Sequence, residues 1–172
     1  RTYKLIPLVD YVQTFERSDN IRIDSIIYNE LIPLLKNINS NIIDICEFTF
    51  SALLNNLMEH SKFQFFNIKI LLCNNDLQIH IFDNGIGIFD KIDQKLNLKN
   101  KKLSVFRLAE GAIKDNSQCA SEGDINLLLY LFDKIIISAN EIELSHDNKN
   151  QLWSSRKIDK NHGTKFELYL SM

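Results

Sequence analysis

Asp83-Asn84-Gly85-Ile86-Gly87-Ile88 sets a carboxylate two residues ahead of a pair of glycines. The alternating run before it, Leu77, Ile79 and Ile81, reads as a strand, so Asp83 stands at a strand's end. A carboxylate there can accept a hydrogen bond from the exocyclic amine of an adenine ring. Glycines beside it let the backbone turn sharply and approach a flat ligand. Two of the chain's five glycines are spent here. D-x-G-x-G is a short pattern, and its plain alternative is a polar loop leaving a strand.

Two further groups carry chemistry. Asn56 and His60 lie four residues apart near the end of an apolar-periodic segment, so a helix would project both from one face. An amide oxygen can complete the oxygen shell of Mg²⁺, and an imidazole one turn on can hydrogen-bond a phosphate. The alternative is that polar residues gather at a helix C-terminus, where a His also suits the dipole. His162-Gly163-Thr164 opens the last strand, with a flexible backbone position beside a hydroxyl. A hairpin turn is the default reading of such a glycine.

These groups must be held by the elements around them. Asn41–His60 is the strongest helix, its stripe formed by Ile42, Ile45, Cys46, Phe50, Leu53, Leu54 and Leu57, with Ser40 or Asn41 as cap. Phe66, Ile68, Ile70 and Leu72 alternate as a strand, Asn74-Asn75 supplies a turn, and Leu77 to Phe82 returns into the glycine turn. Residues 89–121 are polar, with a helix candidate over Leu103–Ile113; a second helix spans Asp124–Phe132. The strand Lys134–Ser138 follows, then three more strand-like segments, the last over Thr164–Leu170. Ahead of all these, Ile21–Asn37 has helical spacing interrupted at Pro33. The economical architecture is an α/β two-layer sandwich, helices on one face of a mixed, largely antiparallel sheet.

Length and composition narrow the classes. A chain of 172 residues, 45% hydrophobic and 24% charged, fits one domain with a substantial core. Its net charge of −2 and lack of a basic block leave no electrostatic case for nucleic acid. Cys46, Cys73 and Cys119 are odd in number and widely spaced, which fits neither a metal site nor a disulfide framework and suits a reducing cytoplasm. No run of roughly eighteen apolar residues is present to span a membrane. The chain begins at Arg1 without Met or a targeting pattern, as a fragment of a larger protein would.

The order of the three groups, with the hairpin and polar segment between them, resembles the Bergerat-fold ATP-binding domains of gyrase B, MutL, the heat-shock chaperones of that class, sensor histidine kinases and anti-sigma-factor serine kinases. The likeness runs from about Asn41 to the C-terminus, making 41–172 a histidine-kinase-like ATP-binding domain. Residues 1–40 read as a helical N-terminal segment that covers the domain's own core, with packing on a neighbour, dimerisation or the end of a larger upstream region as the alternatives. The resemblance implies that Asn56 ligates Mg²⁺ and His60 neighbours phosphate. It assigns Asp83 to the adenine amine, with Gly85 and Gly87 giving close approach. Thr164 would support Asp83, Gly163 would shape the turn, and a glycine lid near Gly123 would close over the phosphates of ATP or ADP.

Two positions depart from that pattern. The family's glutamate four residues before the box asparagine is here Ala52, and a methyl group cannot accept a proton. Glu47 and Glu59 do not share the face of Asn56. The lid reads Ser121-Glu122-Gly123-Asp124-Ile125, bringing two carboxylates toward the triphosphate, unless Asp124 is a helix cap and Glu122 faces solvent. Arg107, Lys114 or Lys134 could supply the neutralising charge. The expected function is an adenine-nucleotide-binding regulatory domain with weak or no hydrolysis, acting through a protein partner or homodimer. The alternative is an active ATPase, or a kinase whose His or Ser phosphoacceptor lies on a partner.

Overall fold

The computed structural model describes residues 7–60, 62–97, 101–111 and 120–172. Seven strands form one sheet: β1 (Val9–Glu16), β2 (Phe65–Cys73), β3 (Asp76–Asp83), β4 (Lys134–Ala139), β5 (Ile142–Asp147), β6 (Leu152–Lys157) and β7 (Thr164–Ser171). Their spatial order is β1-β2-β3-β7-β4-β5-β6, and every pairing is antiparallel, in keeping with the largely antiparallel sheet expected. The α/β two-layer sandwich read from the sequence is the fold observed.

Period-two alternation explains which face is covered. Register aligns Ile68, Ile81, Phe166, Ile137 and Leu144 in one row across five strands, and all five are buried. One step toward the sheet end, the same face carries Phe66, Asp83, Thr164 and Ala139. Asp83 and Thr164 therefore lie directly opposite each other, under the helical layer. The other face carries Lys69, His80 and Glu167 in register.

The main helix is α2 (Ser40–His60), preceded by the short α1 (Ile23–Ile26). Helices α3 (Ile88–Leu96), α4 (Lys101–Gly111) and α5 (Ala120–Leu131) follow β3. Phe50, Leu53, Leu54 and Leu57 on α2 are buried, each contributing about 1.5–3 kcal/mol by leaving water. Cys46 shares that core, where burial pushes its thiol up to about 12 and leaves it unreactive at neutral pH. Asn39, rather than Ser40 or Asn41, caps α2: its Oδ1 accepts from the Asn41 N–H at 2.9 Å. From α1 the chain passes through a π turn at Ile27–Leu31 into a 3₁₀ turn at Ile32–Leu35. Pro33 lies in that last turn, where its missing N–H interrupts α-helical bonding.

Three elements differ from the sequence reading. Within the segment 1–40, read as helical, Val9–Glu16 forms β1, which pairs with β2 along its whole length. Helix α3 occupies part of the stretch read as merely polar, burying Ile88, Phe89 and Ile92. Helix α5 starts at Ala120, four residues before Asp124, so Gly123 sits inside a helix rather than in the loop expected of a lid.

Candidate functional site

The turn after β3 is built by hydrogen bonds to its own side chains. Asp83 Oδ1 accepts from the Gly85 N–H at 2.8 Å, the two-residue reach by which Asp stabilises turns. Asn84 Oδ1 accepts from the Gln64 and Phe65 N–H groups at 2.8 and 3.0 Å, tying the turn to the start of β2. Gly87 then adopts φ +83°, and a Cβ there would come within 2.5 Å of Asn140 Oδ1. The close approach predicted for this glycine is thus made to a side chain of the protein itself.

Asn140 lies in the β4–β5 turn at φ +59°. Its Nδ2 donates to Ile86 O at 3.1 Å and to Asp90 Oδ2 at 2.7 Å, while its Oδ1 accepts from the Asp90 N–H at 3.3 Å. Thr164 Oγ1 accepts from the Ile88 N–H at 2.9 Å. Two first-turn amides of α3, normally left without an intrahelical partner, are therefore capped by side chains distant in sequence, one at the start of β7 and one in the β4–β5 turn. Gly163 is fixed by the same crowding: φ is +85°, and a Cβ would stand 1.7 Å from the Asp83 carbonyl oxygen.

Leu53, Asn56 and Leu57 of α2, Asp83, Gly87, Lys91 of α3, and Thr164 line one cavity, with Ile81 and Phe166 beneath. Four residues predicted for a site, Asn56, Asp83, Gly87 and Thr164, meet there from four separate segments. The Gly85 N–H bonds to Asp83, and Gly163 passes close to the Asp83 carbonyl. Asp83 and Thr164 are both buried. The cavity measures about 20 Å³. That is room for one water molecule, against roughly 300 Å³ and upward for small-ligand pockets.

Lys91 is the residue the sequence reading missed. Its Nζ donates to Asn56 Oδ1 at 2.8 Å. Mg²⁺ demands oxygen ligands at about 2.0–2.1 Å, and a second cation on the same oxygen opposes it. The side chains here do not fit Mg²⁺. Among the described residues, no cluster of three or more His, Cys, Asp or Glu is arranged to hold a metal. The spacing of Ile88, Phe89 and Ile92 is a faint sign that Lys91 lies on a short helix beside the turn. Its meeting with Asn56, 35 residues away, has no local sign. The same holds for Asn140 and Ile86, 54 residues apart.

The other predicted groups stand apart from this cavity or outside the described residues. His60 ends α2, and its side chain lies outside them, as do the surroundings of Gly123 and the side chains of Glu122, Asp124 and Arg107. Lys114 and Cys119 fall in the undescribed 112–119. Lys134 is exposed on β4. Ala52 is buried and does not line the cavity, and Glu47 bonds to the Tyr28 hydroxyl at 2.5 Å. Among the described residues no helix is long and apolar enough to cross a membrane. The chain matches no protein-family model and no curated protein. The class defined by the architecture is an α/β sandwich with a seven-stranded antiparallel sheet.

Proposed function

We propose that the chain is an adenine-nucleotide-binding regulatory domain related to the histidine-kinase-like ATPases, binding ATP or ADP with little or no hydrolysis. One observation carries the reading: Asp83, Thr164 and Asn56, far apart in sequence, line a single cavity at the end of the sheet. In this reading Asp83 receives the adenine amine and Thr164 holds α3 in place behind it. The domain works in the reducing cytoplasm through a protein partner or a second copy, with nucleotide controlling the shape of the 84–88 turn. Ala52 supports the lack of hydrolysis, because no carboxylate stands one helical turn before Asn56 to activate water.

Calorimetric titration with adenosine, ADP and Mg-ATP, followed by a turnover assay, tests this. Adenosine and ADP should bind, and ATP should remain intact. Asp83→Asn preserves an oxygen for the Gly85 N–H but loses the carboxylate. It should weaken adenosine binding by about 1–3 kcal/mol. Unchanged affinity removes Asp83 from the proposed role. Brisk hydrolysis, or phosphate transfer to a partner's His or Ser, replaces the regulatory reading with that of an active enzyme.

A further inference from the structure

A second cavity, of about 760 Å³, opens between α4 and the β5–β6 hairpin and shares no described lining residue with the one at Asp83. Its volume falls within the roughly 300–1,000 Å³ of small-ligand sites. Register sets Trp153, Ser155 and Lys157 of β6 opposite His146, Leu144 and Ile142 of β5, on the face that bears the helices. Ile142, Leu144 and Trp153 line the sheet side, and Phe106 of α4, 62% exposed, lines the helical side. Trp153 is held in place before any ligand arrives. Its ring stacks on His146 with centroids 4.2 Å apart, and the Leu129 carbonyl accepts from His146 Nδ1 at 3.1 Å.

Charge gathers at the other end. Lys157 lies four residues along β6 from Trp153, about 13 Å at the usual rise of a strand. Glu141 directly precedes Ile142, the residue paired with Lys157. Arg156, Lys157 and Glu141 are the charged residues among the described lining. Arg156 is committed to Glu143 through bonds of 2.6 and 2.9 Å. Neither the Lys157 ammonium nor the Glu141 carboxylate has a hydrogen-bond or ion-pair partner among the described residues. A ligand of one sign would cover the charge it matches and leave the other desolvated and unpaired. A ligand carrying both signs pairs both.

We propose that this cavity binds a zwitterion with an apolar body, of the size of an apolar dipeptide. Its carboxylate meets Lys157, its ammonium meets Glu141, and its side chains lie between Phe106 and Trp153. The site stands independently of the adenine reading of Asp83.

Trp153 is the sole tryptophan of the chain, so intrinsic fluorescence reports on this cavity directly. The test titrates the protein at neutral pH with L-phenylalanyl-L-leucine, with its N-acetyl form, which lacks the ammonium, and with its C-terminal amide, which lacks the carboxylate. The free dipeptide should change Trp153 emission and bind at least about tenfold more tightly than either blocked form, since charge-assisted bonds are the strong ones. Glu141→Gln should abolish the advantage over the N-acetyl form, and Lys157→Met the advantage over the amide. Both variants should keep the wild-type unfolding midpoint. Equal binding of the free dipeptide and either blocked form overturns the proposal, because an apolar groove alone would give that result. No response of Trp153 to millimolar free dipeptide overturns it as well. Should a variant not fold, the three ligands on the wild-type protein decide the matter.

Discussion

Gly163 has little freedom to change. Any side chain there must adopt positive φ and displace the Asp83 carbonyl. Gly163→Ala should therefore cost at least about 2 kcal/mol in denaturant unfolding, from backbone strain alone. Ala52 offers the opposite temptation, because a glutamate there would complete the family pattern. The buried Cβ does not face the cavity, so the added carboxylate must enter packed space. Ala52→Glu should lower stability by about 1–3 kcal/mol from overpacking, with a further cost for burying charge, and should not raise turnover. Unfolding curves and an ATPase assay on the same preparation check both halves of that statement.

The turn from Asp83 to Asp90 is held by Asn84, Asn140 and Thr164, one from each of three strand junctions. Asn140→Ala removes both hydrogen bonds donated by Nδ2 and the acceptor for the Asp90 N–H. We expect a loss of about 1–3 kcal/mol. Amide exchange should rise first across residues 86–90, and uniform acceleration over the whole sheet would argue against a local clamp. Sequence reasoning reached α2, the β2–β3 hairpin, β4 and β7 because each carries an uninterrupted apolar period. It missed β1, an edge strand whose Tyr11 and Phe15 are half-buried while Val12 is exposed on the other face. The alternation is blurred where only one neighbour strand stabilises it. It missed α3 because nine residues with three buried positions give little periodicity. Asp83, Thr164 and Asn56 were legible from type and order, but Lys91 was not. Long-range partners of a flexible side chain leave no trace in spacing.

At the scale of the whole molecule, one sheet face carries a pH-dependent group. On the face away from the cavity, His80 stands beside Glu167, Lys165 and Lys69. Burial lowers its affinity for a proton more than Glu167 raises it. The unfolded chain therefore takes up a proton near pH 6.5, before the folded protein does. Stability from this group is complete above that value and is lost as pH falls below it. Denaturant midpoints should decline from pH 7.5 to 5.5, and His80→Gln should flatten that decline. An unchanged slope would assign it to other groups. A final consequence lies in the position of β7, the last strand in chain order, between β3 and β4. The halves β1-β2-β3 and β4-β5-β6 have no edge in common without it. During synthesis each can pair locally, but they join only once residues 164–171 have left the ribosome. Until then two inner strand edges stay open to other chains, making this the interval in which the nascent protein is most prone to aggregate.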